Sequence, residues 1–282
     1  MTDTRPARPE DHAAIAAFTK DTFAWGDYVS DSFDAWLTDE AGAVLVAVDT
    51  ADQPLALARV VLASPREAWL QAARVHPEHR RRGLGGRLND ACVQWAAARG
   101  AVVARLLADE DNPAPHGQVA KLGYRPVARV VHAHLDQPRI GRSIEKLRPL
   151  DPSEAGPALA VWSAGELAAT AHGLAARNWV WRQLHLQHLD EAARCGRLFG
   201  NRHGWVEGEF VNGQGAVWWL SCEEDSAPDL LESACSWAAA SSSAMQVHIP
   251  ATGWLMEPLT EAGFRVAPAV IYEKQTGTVT RP

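Results

Sequence analysis

Residues 75–88 read VHPEHRRRGLGGRL, and the fold of the whole chain can be argued outward from this stretch. An apolar run ends in Pro77, three arginines follow, three glycines fall within four positions, and an apolar pattern at helical spacing then begins with Leu84 and Leu88. That order predicts a strand, a loop and a helix. Gly83, Gly85 and Gly86 carry no Cβ, so the backbone can turn sharply and aim several N–H groups into one small volume. The helix behind them brings its unpaired first N–H groups and the positive end of its dipole to the same place, a natural seat for a phosphate or pyrophosphate. Arg80, Arg81 and Arg82 add permanent positive charge. The stretch is expected to cradle an anion.

Other phosphate loops fit less well. A dinucleotide fingerprint G-x-G-x-x-G starting at Gly83 needs glycine at position 88, which is Leu88, and the opening strand at the chain start is missing. No G-x-x-x-x-G-K-[ST] occurs anywhere, which argues against a P-loop ATPase or kinase.

Arg80, Gly83 and Gly85 fit the pattern R-x-x-G-x-G, and residues 75–78 fit the V-x-P-E that ends the strand before it. Farther on, Asn112 and Lys121-Leu122-Gly123-Tyr124 fit N…K-L-G-[FY]. On these residues the chain resembles the GNAT acyl-CoA N-acyltransferases. The resemblance implies an α/β (α+β) fold, a mixed, mostly antiparallel twisted sheet flanked by helices. It also implies acetyl-CoA as co-substrate, with its pyrophosphate on Arg80, Arg81, Arg82, Gly83, Leu84, Gly85 and Gly86, and with Asn112 nearby. In this family the strand before the loop splays from its neighbour, and the exposed backbone groups pair with the pantetheine arm like an added strand. Ala73 and Val75 are the candidates for that role.

With 282 residues and 47% hydrophobic content, the chain is long enough for two ordinary cores. Cys92, Cys195, Cys222 and Cys235 form no C-x-x-C pair, and no leader-like segment precedes them, so a reduced cytoplasmic protein is expected. The apolar stretches are broken well short of the ~18 residues that a membrane helix needs. No membrane association is expected. Residues 1–142 hold 17 Lys and Arg against 18 Asp and Glu, net −1, whereas residues 143–282 hold 10 against 16, net −6. Positive charge gathered around one glycine loop suits a single anionic small molecule, and no nucleic-acid partner is expected.

Along the chain, residues 5–18 read as a short strand and an Ala-rich helix, and Trp25, Tyr28, Phe33, Trp36 and Leu37 form an aromatic stripe that borders the acceptor in the resemblance. Residues 43–49 and 54–62 predict a hairpin, 68–75 the strand into the loop, and 101–108 the strand after the helix. Asn112-Pro113 predicts an N-cap with proline in the first helical position. Residues 127–135 are expected to close the first domain.

The second half echoes the first. Ala91-Cys92 with Trp95 is repeated as Ala234-Cys235 with Trp237, and Gly123-Tyr124-Arg125 as Gly263-Phe264-Arg265. Two tandem GNAT domains are therefore expected, 1–142 with the acetyl-CoA loop and 143–282 without it. In the second copy, residues 222–228, CEEDSAP, stand in the loop's place with three carboxylates and no glycine, so pyrophosphate would be repelled. Eight of the twelve tryptophans lie in this half, which suits a structural role: covering the first domain, shaping the acceptor cleft or holding a homodimer. His185, His188 and Cys195 are too sparse a pattern for a metal centre, and none is expected.

The expected activity is transfer of an acetyl group from acetyl-CoA to the amine of a small molecule by the first domain. The alternative is a non-catalytic acyl-CoA-binding sensor or scaffold. The family's base position, four residues before Val75, is Gln71 here, and its thiolate acid, a Tyr four residues before the glycine of K-L-G-[FY], is Val119. Glu67, Glu110 and His116 are the substitutes, with His76 as a fourth.

Overall fold

Alternating small and branched apolar residues in 42–48 and 54–64 favour extended chain, and the glycines and prolines between apolar runs divide it into short elements. The computed structural model describes residues 3–23, 26–141 and 145–277. In chain order its elements are β1 (Asp3–Pro6), α1 (His12–Thr19), α2 (Val29–Leu37), β2 (Gly42–Val48), β3 (Pro54–Ser64), β4 (Glu67–Val75), α3 (Leu84–Ala97), β5 (Val103–Asp109) and α4 (Pro113–Lys121). There follow β6 (Arg125–Asp136), β7 (Arg148–Pro149), α5 (Ala155–Ala164), α6 (Glu166–Thr170), β8 (Leu174–Arg177), β9 (Val180–Gln183) and α7 (Leu186–Arg194). The chain ends with β10 (Leu198–Asn201), β11 (Gly204–Val211), β12 (Gln214–Ser221), α8 (Ala227–Ala239), β13 (Ala244–Pro250), α9 (Gly253–Glu261) and β14 (Arg265–Gln275). Among the described residues, no helix is long and apolar enough to cross a membrane.

The chain forms two compact units, Met1–Leu107 with Ala114–Arg125 and Tyr272–Pro282, and Ala108–Pro113 with Pro126–Ile271. The domain boundary expected between 142 and 143 lies outside the described residues, as does Trp25 of the aromatic stripe. Strand β6, expected to close the first domain, is counted from Pro126 onward with the second unit. Its residues from Val130 to Asp136 pair antiparallel with β13, and that long-range pairing is what local sequence patterns do not show.

In the first unit the strands run β1-β2-β3-β4-β5, with residues 272–275 of β14 beyond β5. All the pairs from β1 to β4 are antiparallel, and β4/β5 is parallel. Both faces are covered. Leu84, Leu88, Cys92 and Ala96 of α3 pack with Leu45, Ala47, Ala58, Val60 and Leu70, while Ile15, Val29, Phe33 and Trp36 pack with Val44, Val46, Val48 and Leu57. Adjacent residues of β2 thus enter opposite cores, which explains a strand that is apolar at every position. Cys92 is wholly buried, and burial pushes its thiol up to about 12, so it is a core residue.

In the second unit the order is residues 265–271 of β14, then β6-β13-β12-β11-β10-β7. Strands β12 and β13 are parallel from Gly215 opposite Met245 to Val217 opposite Val247. At the next positions the rings of Trp218 and His248 stack 4.8 Å apart. His248 Nδ1 lies 2.6 Å from His132 Nδ1, and Trp179 packs against both imidazoles. Burial lowers His132 to about 4 and holds His248 well below its ordinary value, where the charge of His132 would add to the effect.

The folded unit therefore resists protons that the unfolded chain accepts. His132 takes its proton near 6.5 when unfolded and near 4 when folded, so the stability of the neutral ring is complete above 6.5 and is lost as pH falls through that window. At pH 5 the loss from this group alone is about 2 kcal/mol. Glu207 acts in the opposite sense, because burial raises its carboxyl to about 7. The clean measurement is a difference. From pH 7.5 to pH 5, denaturant unfolding of the wild-type chain is expected to lose about 2 kcal/mol more than His132→Phe; equal losses would sink the assignment.

Candidate functional site

Strand β4 delivers the chain to the glycine loop through a single 3-10 turn, Pro77–His79, whose Glu78 N–H donates to His76 Nδ1 at 3.2 Å. Arg81 and Gly83 both have left-handed backbone, with φ of 61° and 79°. Gly83 is the N-cap of α3. Added Cβ atoms would meet open space at Gly83, so backbone conformation is what demands glycine there. At Gly85 the demand is closeness: a Cβ would stand 2.7 Å from Gln118 Nε2 of α4. Gly86 lies similarly under Leu122, at 3.6 Å. Helix α4 thus lies against the first turn of α3, leaving backbone as the surface of the cradle.

Leu84 is 3% exposed and pins the start of α3 into the core, whereas Arg80, Arg81 and Arg82 are exposed. Helix geometry leaves the N–H groups of Leu84, Gly85 and Gly86 outside the helix's own ladder. Donors, dipole and three guanidinium groups meet at one end of one helix. An anion with several acceptor oxygens fits this arrangement.

Beside the loop the sheet opens. The β4/β5 pairing runs from Glu67 opposite Val103 to Trp69 opposite Arg105 and ends there, although β4 continues to Val75. On its other edge β4 stays with β3, and Val75 faces Ala56. A register shift leaves Ala72 with φ of 56° and gives Ala73 no opposite residue. Ala73 is exposed and Val75 half-buried, so their backbone groups on the β5 side face the opening. An extended amide-bearing arm can pair there as a strand would.

The groups considered for proton transfer are dispersed. Glu67 is buried, forms an ion pair with Arg105, and accepts from Ser64 Oγ at 2.9 Å. These contacts hold its carboxylate within the sheet. Glu110 forms a two-pronged pair with Arg129, at 2.8 and 2.9 Å, and belongs to the second unit. Asn112 is exposed just before Pro113, the first residue of α4. His116 differs. Its Nδ1 lies 2.7 Å from the hydroxyl of Tyr272, whose side chain is 9% exposed, and both residues belong to the first unit. Tyr272 is the residue that sequence reading missed; it stands 156 positions away in the last strand. Val119 is buried, and Tyr124 of the K-L-G-Y segment accepts from Asn89 Nδ2 at 3.0 Å, with burial raising its phenol to about 12.

Residues 11–124 match the model of the acetyltransferase (GNAT) family. This segment is a GNAT domain. The match spans the aromatic helices, the splayed strands, the glycine loop and α4. Acyl transfer from acyl-CoA is the chemistry of that family. Over its whole length the chain is also similar to solved GNAT structures. A GCN5-related N-acetyltransferase from Sphaerobacter thermophilus aligns over 100% of this chain and 96% of its own, at 15% identity and a TM-score of 0.67. A tandem GNAT protein from the clavulanic acid biosynthesis pathway aligns over 98% and 99%, at 14% identity and a TM-score of 0.58. A GCN5-related N-acetyltransferase from Kribbella flavida aligns over 96% of this chain and 70% of its own, at 15% identity and a TM-score of 0.53. The comparison with curated proteins finds no match. The fold is that of a tandem GNAT protein.

The GNAT domain's aromatic helices supply a wall of mixed character. Arg74 of β4 stacks its guanidinium over Phe23 and Tyr28, at 5.0 and 5.6 Å, and pairs with the Asp27 carboxylate at 2.6 Å. Arg59 lies over Trp36 at 4.9 Å and pairs with Asp39. His76, Glu78 and His79 gather their ligand atoms within 4.8 Å of one another. His76 Nδ1 already accepts from the turn, and Arg82 stands 3.5 Å from His79 Nδ1, which opposes a cation. His188 Nδ1 accepts from the His185 N–H, capping α7.

In the second copy, β12 leads through the 3-10 turn Glu224–Ser226 into α8, the place that β4, loop and α3 hold in the first. Glu223, Glu224 and Asp225 are exposed there.

Proposed function

We propose that this chain transfers the acetyl group of acetyl-CoA to the amine of a small molecule, and that the first of the two GNAT copies does so. The observation that carries the reading is the meeting of the glycine-lined start of α3 with the opening between β4 and β5. Gly85 fits the cofactor in particular, because the volume its side chain would fill is bounded by Gln118. Arg80, Arg81, Arg82 and the N–H groups of residues 84–86 would hold the pyrophosphate, and the backbone of Ala73 and Val75 the pantetheine arm. The acidic 222–228 segment and the stacked Trp218 and His248 argue for no second CoA site.

Transfer requires the amine nitrogen to attack the thioester carbonyl, the carbon–sulfur bond to break and the departing thiolate to gain a proton. The first copy offers a half-buried pair suited to the last step. The Tyr272 hydroxyl gives its proton to sulfur, and His116 Nδ1, hydrogen-bonded to that hydroxyl, replenishes it. Tyr272→Phe keeps the ring and removes the donor. It is expected to lower kcat about 10²-fold with KM for acetyl-CoA little changed.

Gln71 and Val119 favour a second reading, a non-catalytic acyl-CoA-binding module. Titration of the chain with acetyl-CoA, followed by thiol release with a panel of amines, separates the two. One site per chain with amine-dependent thiol release supports the transferase; binding with no release by any amine supports the module. Absence of binding would overturn both.

A further inference from the structure

The strand that leads into the glycine loop is broken by a bulge shortly before it arrives. Between the pairs Arg59–Gln71 and Leu57–Arg74, β3 uses one residue, Ala58, and β4 uses two, Ala72 and Ala73. Ala72 takes left-handed backbone there, with φ of 56°, and its buried methyl belongs to the core of Phe33, Val46 and Leu57. A residue with a Cβ keeps that conformation only where its surroundings impose it. A regular ladder in its place would slip the strand by one residue and turn Ala73, Arg74 and Val75 to opposite sides.

One side chain ties the bulge down. Arg74 Nη1 donates back to the carbonyl of Ala73 at 3.2 Å, while Nε and Nη2 donate to the two carboxylate oxygens of Asp27 at 2.6 and 3.3 Å. The anchor is itself fixed. Its side chain is 1% exposed, and Asp27 Oδ1 accepts from the Val29 N–H at 3.1 Å where α2 begins. Because the peptide is planar, holding the Ala73 carbonyl also sets the direction of the Arg74 N–H. Reaching a backbone carbonyl and a buried carboxylate at once calls for a rigid planar fork, which arginine has and lysine lacks.

We infer that Arg74, anchored by Asp27, is a positioning residue for acyl-CoA: it holds the β4 bulge in the form whose backbone at Ala73 and Val75 receives the pantetheine arm. It acts through the strand and not by touching the thioester. Asp27 offsets its charge, so it adds little to the attraction that Arg80, Arg81 and Arg82 exert on the phosphates. Its effect therefore falls on the arm. The inference rests on the acyl-CoA reading proposed above.

The test is calorimetric titration of the full chain with acetyl-CoA and, separately, with ADP, which carries the adenosine and pyrophosphate of CoA without the arm. Arg74→Lys keeps a cation beside Asp27 and gives up the fork. It is expected to weaken acetyl-CoA at least about tenfold and to leave ADP within about twofold of wild type. Asp27→Asn, which keeps the shape of the anchor and removes its charge, is expected to give the same split. A smaller loss of acetyl-CoA affinity in either variant, with the wild-type chain binding normally, would overturn the inference and leave the acyl-CoA reading standing. Comparable losses for both ligands would also overturn it, because damage to the fold or to the loop weakens ADP as well. So would wild-type binding of acetyl-CoA with no saturable ADP binding at about 10 mM, since loop and arm would then not be separable seats. Absence of acetyl-CoA binding by the wild-type chain would remove the acyl-CoA reading and this inference with it.

Discussion

Gly85→Asp is expected to weaken acetyl-CoA about 10³-fold and to leave the chain folded. A carboxylate about 4 Å from a phosphate at an effective dielectric near 20 costs about 4 kcal/mol, which is that factor of affinity. The added side chain also enters the space between α3 and α4, where its Cβ would stand 2.7 Å from Gln118 Nε2. Gln118 is an exposed, flexible amide and can swing away. Helix α3 itself gains, because an acidic residue in its first turn complements the dipole by about 0.3–1 kcal/mol and replaces a glycine. Affinity and stability should thus move in opposite directions. Calorimetric titration paired with a thermal melt reads both, and wild-type affinity in a folded variant would remove the loop from the binding site. Gly83→Ala is a different experiment, since the added methyl meets nothing but must adopt φ near 79°, a strain of about 1–2 kcal/mol.

What made the loop legible in advance was that each of its requirements is local. Left-handed backbone, a helix start and exposed guanidinium groups need only neighbouring residues, and residues 75–88 spell all of them out. The repeat was legible for a related reason: β4, loop and α3 recur as β12, acidic turn and α8, so Cys92 and Cys235 occupy matching buried positions on their helices. The partners of the candidate proton-transfer groups were not legible, because they lie far away in sequence. Nothing near Tyr272 distinguishes it from other strand aromatics; its hydrogen bond to His116 depends on β14 completing the sheet of the first unit. The setting of Glu67 was hidden for the same reason. Its neighbours in sequence show a carboxylate at the start of a strand, and its actual partner, Arg105, comes from the strand beside it. The hairpin of β8 and β9, which carries Trp179 near its turn, has no counterpart of two paired strands among the described residues of the first copy and so escaped a reading based on repetition.

Arg105→Met is expected to destabilise the first unit by about 3–5 kcal/mol, the largest stability effect of any single change considered. The Arg105 side chain is 6% exposed and lies between Glu67 and Glu273, which are 8% and 9% exposed. It pairs with Glu67 and reaches Glu273 Oε2 through Nε at 2.9 Å. Removing the guanidinium leaves two buried carboxylates facing one another. Two neighbours are weak substitutes: Ser64 donates a single hydrogen bond to Glu67, and Arg125, which reaches Glu273 at 3.2 Å, is 72% exposed and is screened by solvent. Methionine fills much of the same volume, so lost charge rather than a cavity dominates the change. Denaturant unfolding of both proteins gives the difference, and a loss below about 1 kcal/mol would show that the pair is offset by its own desolvation. The same arrangement decides the role of Glu67. If its work is to hold Arg105, Glu67→Gln lowers the unfolding midpoint while the acetyl-transfer rate per folded molecule stays within about twofold. A proton acceptor at that position would instead show its loss in kcat by about 10²-fold or more, with acetyl-CoA binding intact.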